Sequence, residues 1–333
     1  WREVGGGICE VNTTVDLHSE LRPSKDGDVR DVLLQSLYPQ GNDGRIPTAM
    51  VTGTTGKTST STMLASILGS AGHIVGSATT EGVRIDGELI ERADLASADG
   101  AAIVLRDATV SAAVLETARG GIVKTGLYVD RCDVAALLNI ERDQIGMDGV
   151  EALDDMVVIK RKILDIARKA VVLNADDPRC LALAEEFSPR LRTILYSHSG
   201  ETAAIRRHVA AGGGAVFLAK GERRETIVVA SASGDVPLLA TDEVPATNGG
   251  LIWFHGLNAL SASALAIGLD IGYDAIRAGL RRYGKEYAGA MLRTVFAEGF
   301  PMQVLFDSSG KAPAYAAAVT VTDKITVPGR KIC

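Results

Sequence analysis

The sequence predicts an α/β protein built on a doubly wound, mostly parallel sheet, with partial domains flanking it. From Pro47 onward, apolar runs typical of strands alternate with segments typical of helices, an order that favours parallel strands joined by helices. The strand-like runs, such as AAVLE and DVAALL, are apolar almost throughout, as expected of strands that are covered on both faces.

The individual elements follow in order along the chain. The first strand is predicted in TAMVT and the first helix over 59–69. Later strands are predicted in AAVLE, DVAALL and AVVLN, with one helix over about 150–168 before the last of them. Between 207 and 236, short strands separated by glycine turns predict antiparallel strands added to the main sheet. Ala and Leu at helical spacing over 255–284 predict the helices that close this domain.

Composition excludes several classes of protein. The 333 residues carry a net charge of −6, with 46% apolar, 23% charged and 5% aromatic residues, which is typical of a globular protein and not of a disordered one. Because Lys and Arg are not clustered or interleaved with aromatic residues, we expect no nucleic-acid partner. No apolar run approaches the ~18 residues of a membrane span. Four widely spaced cysteines predict neither a disulfide framework nor a zinc site, so we expect a cytoplasmic protein without a membrane partner.

The length predicts two domains, or one large domain with fragments attached. The large domain is expected over 42–286. The segments 1–41 and 287–333 contain strand and helix patterns, but each is too short to bury a core of its own. Since the first residue is Trp1 and not Met, we expect the chain to be a piece of a longer protein.

The sharpest functional signal is the run TGTTGKT between the first strand and the first helix. Glycines let the backbone close around a phosphate, and the start of a helix supplies N–H groups and a positive dipole end. Lys57 would meet the terminal phosphates and the Thr58 hydroxyl can bind Mg²⁺. The longer pattern G-x-x-x-x-G-K-[ST] has Val51 at its first glycine, so only the short form is present. The alternative to a nucleotide site is an ordinary turn before a helix. The predicted nucleotide-binding residues are Thr52, Gly53, Thr54, Thr55, Gly56, Lys57, Thr58 and Ser59.

The short form is typical of the Mur ligase family, and further segments resemble that family. They are GRIPTAMVTGTTGKTSTSTMLASIL, AAVLETARGGI, DRCDVAALLNI and VVLNADDP, which are similar to the cyanophycin synthetase branch. GGICEVNTT resembles the tail of an ATP-grasp domain, and MQVLFD through KITVPGRKIC resembles the start of a C-terminal domain. The resemblance implies an ATP-grasp tail over 1–41, a P-loop-type Mur ligase central domain over 42–286, and a truncated C-terminal domain over 287–333.

The resemblance implies an ATP-dependent amide ligase that uses ATP and Mg²⁺. In such a ligase a carboxylate attacks the γ-phosphate to give an acyl phosphate, and an amine then displaces phosphate to form the amide. The implied substrates are arginine and an aspartate-rich polymer whose side chains accept it, and a homo-oligomer is expected. Two alternatives stay open: a related ligase with a different amino-acid or dipeptide substrate, and a nucleotide-binding scaffold domain with degenerate catalysis.

The resemblance also implies roles outside the loop. Glu116 matches the family's Mg²⁺ ligand, the alternative being a capping or surface glutamate. Gln144 stands where the family has a histidine that helps to bind a second metal, and Lys160 stands where many members carry a carbamylated lysine. A solvated surface lysine is the alternative for Lys160. Asn258 matches an asparagine that hydrogen-bonds adenine, the alternative being a polar residue at a helix start. The predicted catalytic residues are Lys57, Glu116 and Lys160, and the predicted metal ligands are Thr58, Glu116 and Gln144.

Resemblance and departure both occur near the ends of the chain. Asp307 ends a predicted strand, where it would hold the nucleotide ribose. The family's hinge arginine is absent from 288–290, and its loop histidine and asparagine are absent from 308–313. Glu10 and Asn12 match the last metal-binding pair of an ATP-grasp domain, which we expect to be incomplete here.

Overall fold

The protein is described from a computed structural model that covers residues 31, 35–36, 38, 44–143, 145–146, 149–222, 224–285, 294–297, 304–307 and 312–324. The chain divides into two compact units, Trp1–Ile46 and Pro47–Cys333. Nearly all of the described residues belong to the second unit, whose fold follows. The predictions for 1–30 and for the last strand, in ITVPGRKIC, lie outside the described residues.

An eleven-stranded sheet forms the centre of the second unit. Its strands are β1 Thr48–Thr52, β2 Val75–Thr79, β3 Gly82–Ile85, β4 Glu88–Glu91, β5 Ala112–Glu116, β6 Cys132–Leu137, β7 Ala167–Asn174, β8 Arg192–Ser197, β9 Gly214–Lys220, β10 Glu225–Ser231 and β11 Gly234–Ala240. The order across the sheet is β11-β10-β9-β8-β7-β6-β1-β5-β2-β3-β4. From β9 to β2 every neighbouring pair is parallel, and antiparallel strands extend both edges. A separate antiparallel pair consists of β12 Thr294–Ala297 and β13 Val304–Asp307.

Helices connect and cover these strands. They are α1 Lys57–Ser70, α2 Ala98–Arg106, α3 Arg119–Lys124, α4 Leu153–Lys160, α5 Lys162–Asp165, α6 Pro178–Phe187, α7 Ala203–Ala210, α8 Trp253–Gly268, α9 Tyr273–Arg282 and α10 Ala312–Lys324. Two short 3₁₀ turns, Thr241–Glu243 and Pro245–Thr247, follow β11. Within the described part of the chain, no helix combines the length and the apolar character needed to cross a bilayer.

Helix α1 lies deep in the molecule, between the sheet and helices α8 and α9. Gly279 on α9 permits the close crossing, because an added Cβ there would lie only 2.4 Å from the Ile67 Cα. Tyr283 hydroxyl and Thr62 Oγ1 share a buried hydrogen bond of 2.8 Å across the same crossing. Ser66 Oγ donates to the Gly279 carbonyl at 2.8 Å. The helix that follows the glycine-rich loop is therefore fixed along its length.

The predicted α/β class and mostly parallel sheet are confirmed, as are the antiparallel strands after residue 207. The single helix expected over 150–168 is wrong in its bounds. Asp155 Oδ2 accepts the N–H groups of Glu151 and Ala152, which starts α4 at Leu153. The chain then leaves helical geometry after α5, because its next residues pair with β6 as β7. Strands β2, β3, β4 and β8 were not predicted.

Candidate active site

The glycine-rich loop lies at the carboxyl end of β1, an inner strand of the parallel part of the sheet. β5 and β6 pair with β1 on either side, so the residues that follow all three strands meet at one edge. Gly56 adopts a left-handed conformation with φ +82°, which favours glycine. The first hydrogen bond of α1 runs from the Thr60 N–H to the Gly56 carbonyl at 2.9 Å. The first residues of α1 therefore line a cavity beside the glycine-rich loop.

A cavity of about 510 Å³ collects most of the residues predicted from the sequence. Gly53 to Ser59 line one wall, and Glu116 and Lys160 line the same space. The Thr52 hydroxyl is turned inward, where it donates to the Thr117 carbonyl at 2.7 Å. The other lining side chains include Thr80, Asp94, Ser97, Asp99, Arg119, Lys124, Thr125, Asp143 and Met156. Acidic and basic groups therefore surround a space that begins at the glycine-rich loop.

Glu116, Thr58 and Thr80 bring their side-chain oxygens together in one corner of the cavity. Glu116 is the last residue of β5 and is 1% exposed. Its Oε2 accepts the Thr58 hydroxyl at 2.9 Å and the Thr80 N–H at 3.2 Å. The Thr58 and Thr80 hydroxyl oxygens lie 2.9 Å apart. Sequence reasoning missed Thr80, which directly follows parallel strand β2, because that strand was not predicted.

Two lysine ammonium groups contact carbonyl oxygens of the loop. Lys57 Nζ donates to the Thr54 carbonyl at 3.2 Å. Lys160, the last residue of α4, donates through Nζ to the Gly53 carbonyl at 2.7 Å. Lys160 is only 2% exposed, so it is not a solvated surface lysine. The structure therefore brings both predicted lysines to the same loop.

The segment after β6 also contacts the loop, a contact that sequence reasoning missed. Asn139 Oδ1 accepts the N–H of Thr54 at 2.8 Å and the N–H of Thr55 at 2.9 Å. The Glu141 N–H donates to Thr54 Oγ1 at 3.0 Å. The preceding carbonyl, that of Leu138, accepts the Tyr196 hydroxyl at 2.8 Å. Burial raises the pKa of this phenol well above its ordinary value, so Tyr196 stays protonated as a donor.

The remaining predicted residues have mixed outcomes. Asn258, near the start of α8, packs against the loop: an added Cβ on Gly56 would lie 2.6 Å from its Oδ1. Asn258 does not line the cavity itself. Asp307 is the last residue of β13, as predicted for a strand end. Gln144, Glu10 and Asn12 lie outside the described residues, as do 288–290 and 308–311.

An aromatic cluster joins the start of α8 to α10. The rings of His198 and Trp253 are 5.3 Å apart between centroids, and Trp253 Nε1 donates to Thr320 Oγ1 at 2.9 Å. Desolvation by burial lowers the pKa of the His198 imidazole below its ordinary value, against the opposing charges of Glu225 and Asp176. His198 is therefore biased towards its neutral form.

Comparison with known families decides the affiliation of the chain. The family model of the Mur ligase middle domain matches residues 51–228, which is more than half of the sequence. The chain belongs to the Mur ligase family. This family member is 35% identical over 289 residues to a cyanophycin synthetase of Synechocystis sp., covering 85% of this chain and 32% of that protein. It is 33% identical over 286 residues to a cyanophycin synthetase of Nostoc sp., covering 85% of this chain and 31% of that protein. The chain thus spans about a third of the length of these relatives.

Solved structures support the same fold for this Mur ligase family member. The UDP-N-acetylmuramoyl-L-alanyl-D-glutamate–2,6-diaminopimelate ligase superposes with a TM-score of 0.63 at 18% identity, covering 89% of this chain and 56% of that one. FolC of E. coli, solved in complex with DHPP and ADP, superposes with a TM-score of 0.56 at 21% identity, covering 95% of this chain and 73% of that one. At these identities the likeness concerns the fold alone.

Proposed function

We propose that this chain is the ATP-binding part of an ATP-dependent amide ligase of the cyanophycin synthetase type. One observation carries the proposal: the phosphate loop at the start of α1 opens into the same cavity as the buried carboxylate of Glu116 and the buried amine of Lys160. A helix start of this kind binds anionic phosphate groups through its N–H groups and dipole. The similarity to two cyanophycin synthetases favours this ligase over other nucleotide-binding proteins.

The corner formed by Glu116 fits a Mg²⁺ ion. In the described part of the chain, the hydrogen bonds that Glu116 accepts come from neutral groups of Thr58 and Thr80. A buried carboxylate with neutral partners favours a cation nearby, and magnesium prefers oxygen ligands. Glu116 and the two hydroxyls would hold the ion, which supplies positive charge to the phosphate oxygens. Gln144 is proposed as a further ligand on the family resemblance alone.

Lys57 would act on the phosphates, and Lys160 would act beside the Mg²⁺ ion held by Glu116. In this proposal Lys57 leaves the Thr54 carbonyl and neutralises charge that develops on the transferred phosphate. Lys160 is held beside the loop by the Gly53 carbonyl. Carbamylation would convert this buried cation into an anionic oxygen ligand, which suits a metal-binding role better than a buried ammonium group does. Asn258 and Asp307 are proposed to contact adenine and ribose.

The substrates and assembly are proposed for the whole protein, of which this chain covers a part. We assign arginine as the amine and aspartate side chains of a polymer as the carboxylate, following the family resemblance. The segments 1–41, 42–286 and 287–333 are proposed as the ATP-grasp tail, the central domain and the start of the C-terminal domain. A cytoplasmic homo-oligomer is part of the same proposal.

The test is ADP release by the full-length protein with arginine and an aspartate-rich primer. Lys57→Ala should lower turnover by at least about 100-fold, because it removes a charge aimed at the phosphates. Lys162→Ala is the matched control, since Lys162 is an exposed lysine just beyond α4. Both variants should unfold at the temperature of the wild type within a few degrees. Equal turnover in the Lys57 variant would refute the proposal.

The same assay separates the two alternatives. ADP release that depends on another amino acid would assign a ligase with different substrates. Nucleotide binding without substrate-stimulated ADP release would assign a scaffold domain. ADP release that depends on arginine alone would exclude both the ligase with different substrates and the scaffold domain.

A further inference from the structure

We propose that Asn139 is a positioning residue that fixes the glycine-rich loop in its phosphate-binding shape, with the N–H groups of Thr54 and Thr55 held by Asn139 instead of by a phosphate. The inference rests on the proposed nucleotide site and deepens it. It also gives a role to the segment VVLNADDP, which was recognised by resemblance without any function.

Asn139 uses both ends of its side-chain amide on the loop. Oδ1 accepts two consecutive main-chain N–H groups, those of Thr54 and Thr55. Nδ2 donates to the Thr55 carbonyl and to Thr55 Oγ1, each at 3.2 Å. Turning the amide over would place NH₂ against two N–H donors and oxygen against the Thr55 carbonyl. The four hydrogen bonds therefore define one orientation of the side chain and one shape of the loop.

Main-chain N–H groups that already donate to Asn139 cannot at the same time donate to a phosphate. The N–H groups of Thr54 and Thr55 point to Asn139, with Thr54 also donating to the Asn139 main-chain oxygen at 3.2 Å. The residues at the start of α1, Lys57, Thr58 and Ser59, line the cavity, and the first turn of a helix directs its N–H groups outward from the helix end. The N–H groups of Thr54 and Thr55 are therefore excluded from the proposed phosphate contacts.

A second set of contacts holds Asn139 itself. Asp177 Oδ2 accepts the Ile140 N–H at 2.7 Å, while its Oδ1 accepts the Arg179 N–H at 2.9 Å at the start of α6. On the other side, the Leu138 carbonyl accepts Asn174 Nδ2 at 2.9 Å. The ends of β6 and β7 are therefore linked through VVLNADDP to the loop after β1. A rigid support of this kind keeps donors in place before the ligand arrives.

The first experiment measures amide hydrogen exchange in the full chain without nucleotide. Thr55 is the cleaner reporter, because the Thr54 N–H keeps a main-chain acceptor when the side chain is removed. In Asn139→Ala we expect Thr55 exchange at least about tenfold faster than in the wild type. Asn139→Asp retains an acceptor and should keep Thr55 protected. Unchanged protection in Asn139→Ala would overturn the proposal, whether or not the protein binds ATP.

The second experiment measures ADP and AMP affinity by calorimetry. Asn139→Ala should weaken ADP by about tenfold or more while AMP changes less than about twofold, since the loop serves the outer phosphates. Thr247→Val is the structural control: it removes a hydroxyl that contacts the Thr241 and Val244 carbonyls and accepts the Gly250 N–H, all outside the cavity. It should lower stability and leave the ADP to AMP affinity ratio unchanged.

The outcomes separate this inference from the proposed function. An equal loss of ADP and AMP affinity in Asn139→Ala would reduce Asn139 to a residue of general stability and overturn its positioning role. A wild-type chain that binds neither nucleotide would refute the proposed function instead, and the exchange rates at Thr55 would still decide whether Asn139 shapes the loop.

Discussion

Replacing Gly56 by alanine should affect nucleotide binding far more than stability. At φ +82° an alanine incurs about 1–2 kcal/mol of steric strain, offset by about 0.4–1 kcal/mol from the stiffer unfolded chain. The net loss is therefore about 1 kcal/mol. The new Cβ would also lie 2.6 Å from Asn258 Oδ1, so the amide must move. Because that oxygen ends a rotatable side chain, the contact displaces Asn258 and the loop instead of unfolding the domain.

Gly72→Ala is the matched control for Gly56→Ala. Gly72 also has a left-handed backbone, at φ +92°, but an added Cβ meets nothing within 4 Å. Urea unfolding should give similar losses of about 1 kcal/mol for both variants. Titration with ADP should show weaker binding, by at least about tenfold, only for Gly56→Ala. Wild-type ADP affinity in Gly56→Ala, or an equal loss in Gly72→Ala, would refute the placement of this glycine in the nucleotide site.

Two further predictions concern the support of the site. Because desolvation lowers the pKa of His198 below its ordinary 6.5, the unfolded chain binds a proton more readily, and stability should fall as the pH drops below about 6.5. Urea unfolding of His198→Gln at pH 7.5 and 5.5 should show a smaller pH dependence than the wild type; an identical dependence would contradict the assignment. Gly279→Ala should lose about 1–3 kcal/mol in thermal unfolding, since its Cβ would meet main-chain atoms of Ile67 at 2.4 and 2.7 Å. Gly272→Ala, with open space at its Cβ, should unfold close to the wild type.

Local patterns predicted the strands and helices that carry the phosphate loop. The apolar run TAMVT and the glycine-rich turn after it require only neighbouring residues, and β1 and α1 form there as expected. The bounds of the helix before β7 could not be read in the same way. Their position depends on pairing with β6, a contact between residues 35 or 36 positions apart in the chain, such as Cys132 with Ala167.

Candidate site residues outside the loop were predicted from the family resemblance, which a distinctive side chain at a strand end can support. Glu116 follows four apolar residues, so its carboxylate stands out in the sequence. Thr80 and Asn139 do not stand out, because threonine and asparagine are common after strands. Their partners are distant: Asn139 and Thr54 are 85 positions apart. Only the order of strands across the sheet brings these residues together.

The enclosure of α1 has a consequence for how the proposed ligase would work through a reaction cycle. A helix pinned on one side by the sheet and on the other by Tyr283 and Gly279 cannot slide without breaking close-packed contacts. The glycine-rich loop at the start of α1 therefore keeps a fixed position. Any motion that brings the reactants together has to be made by the elements of the protein that approach this loop.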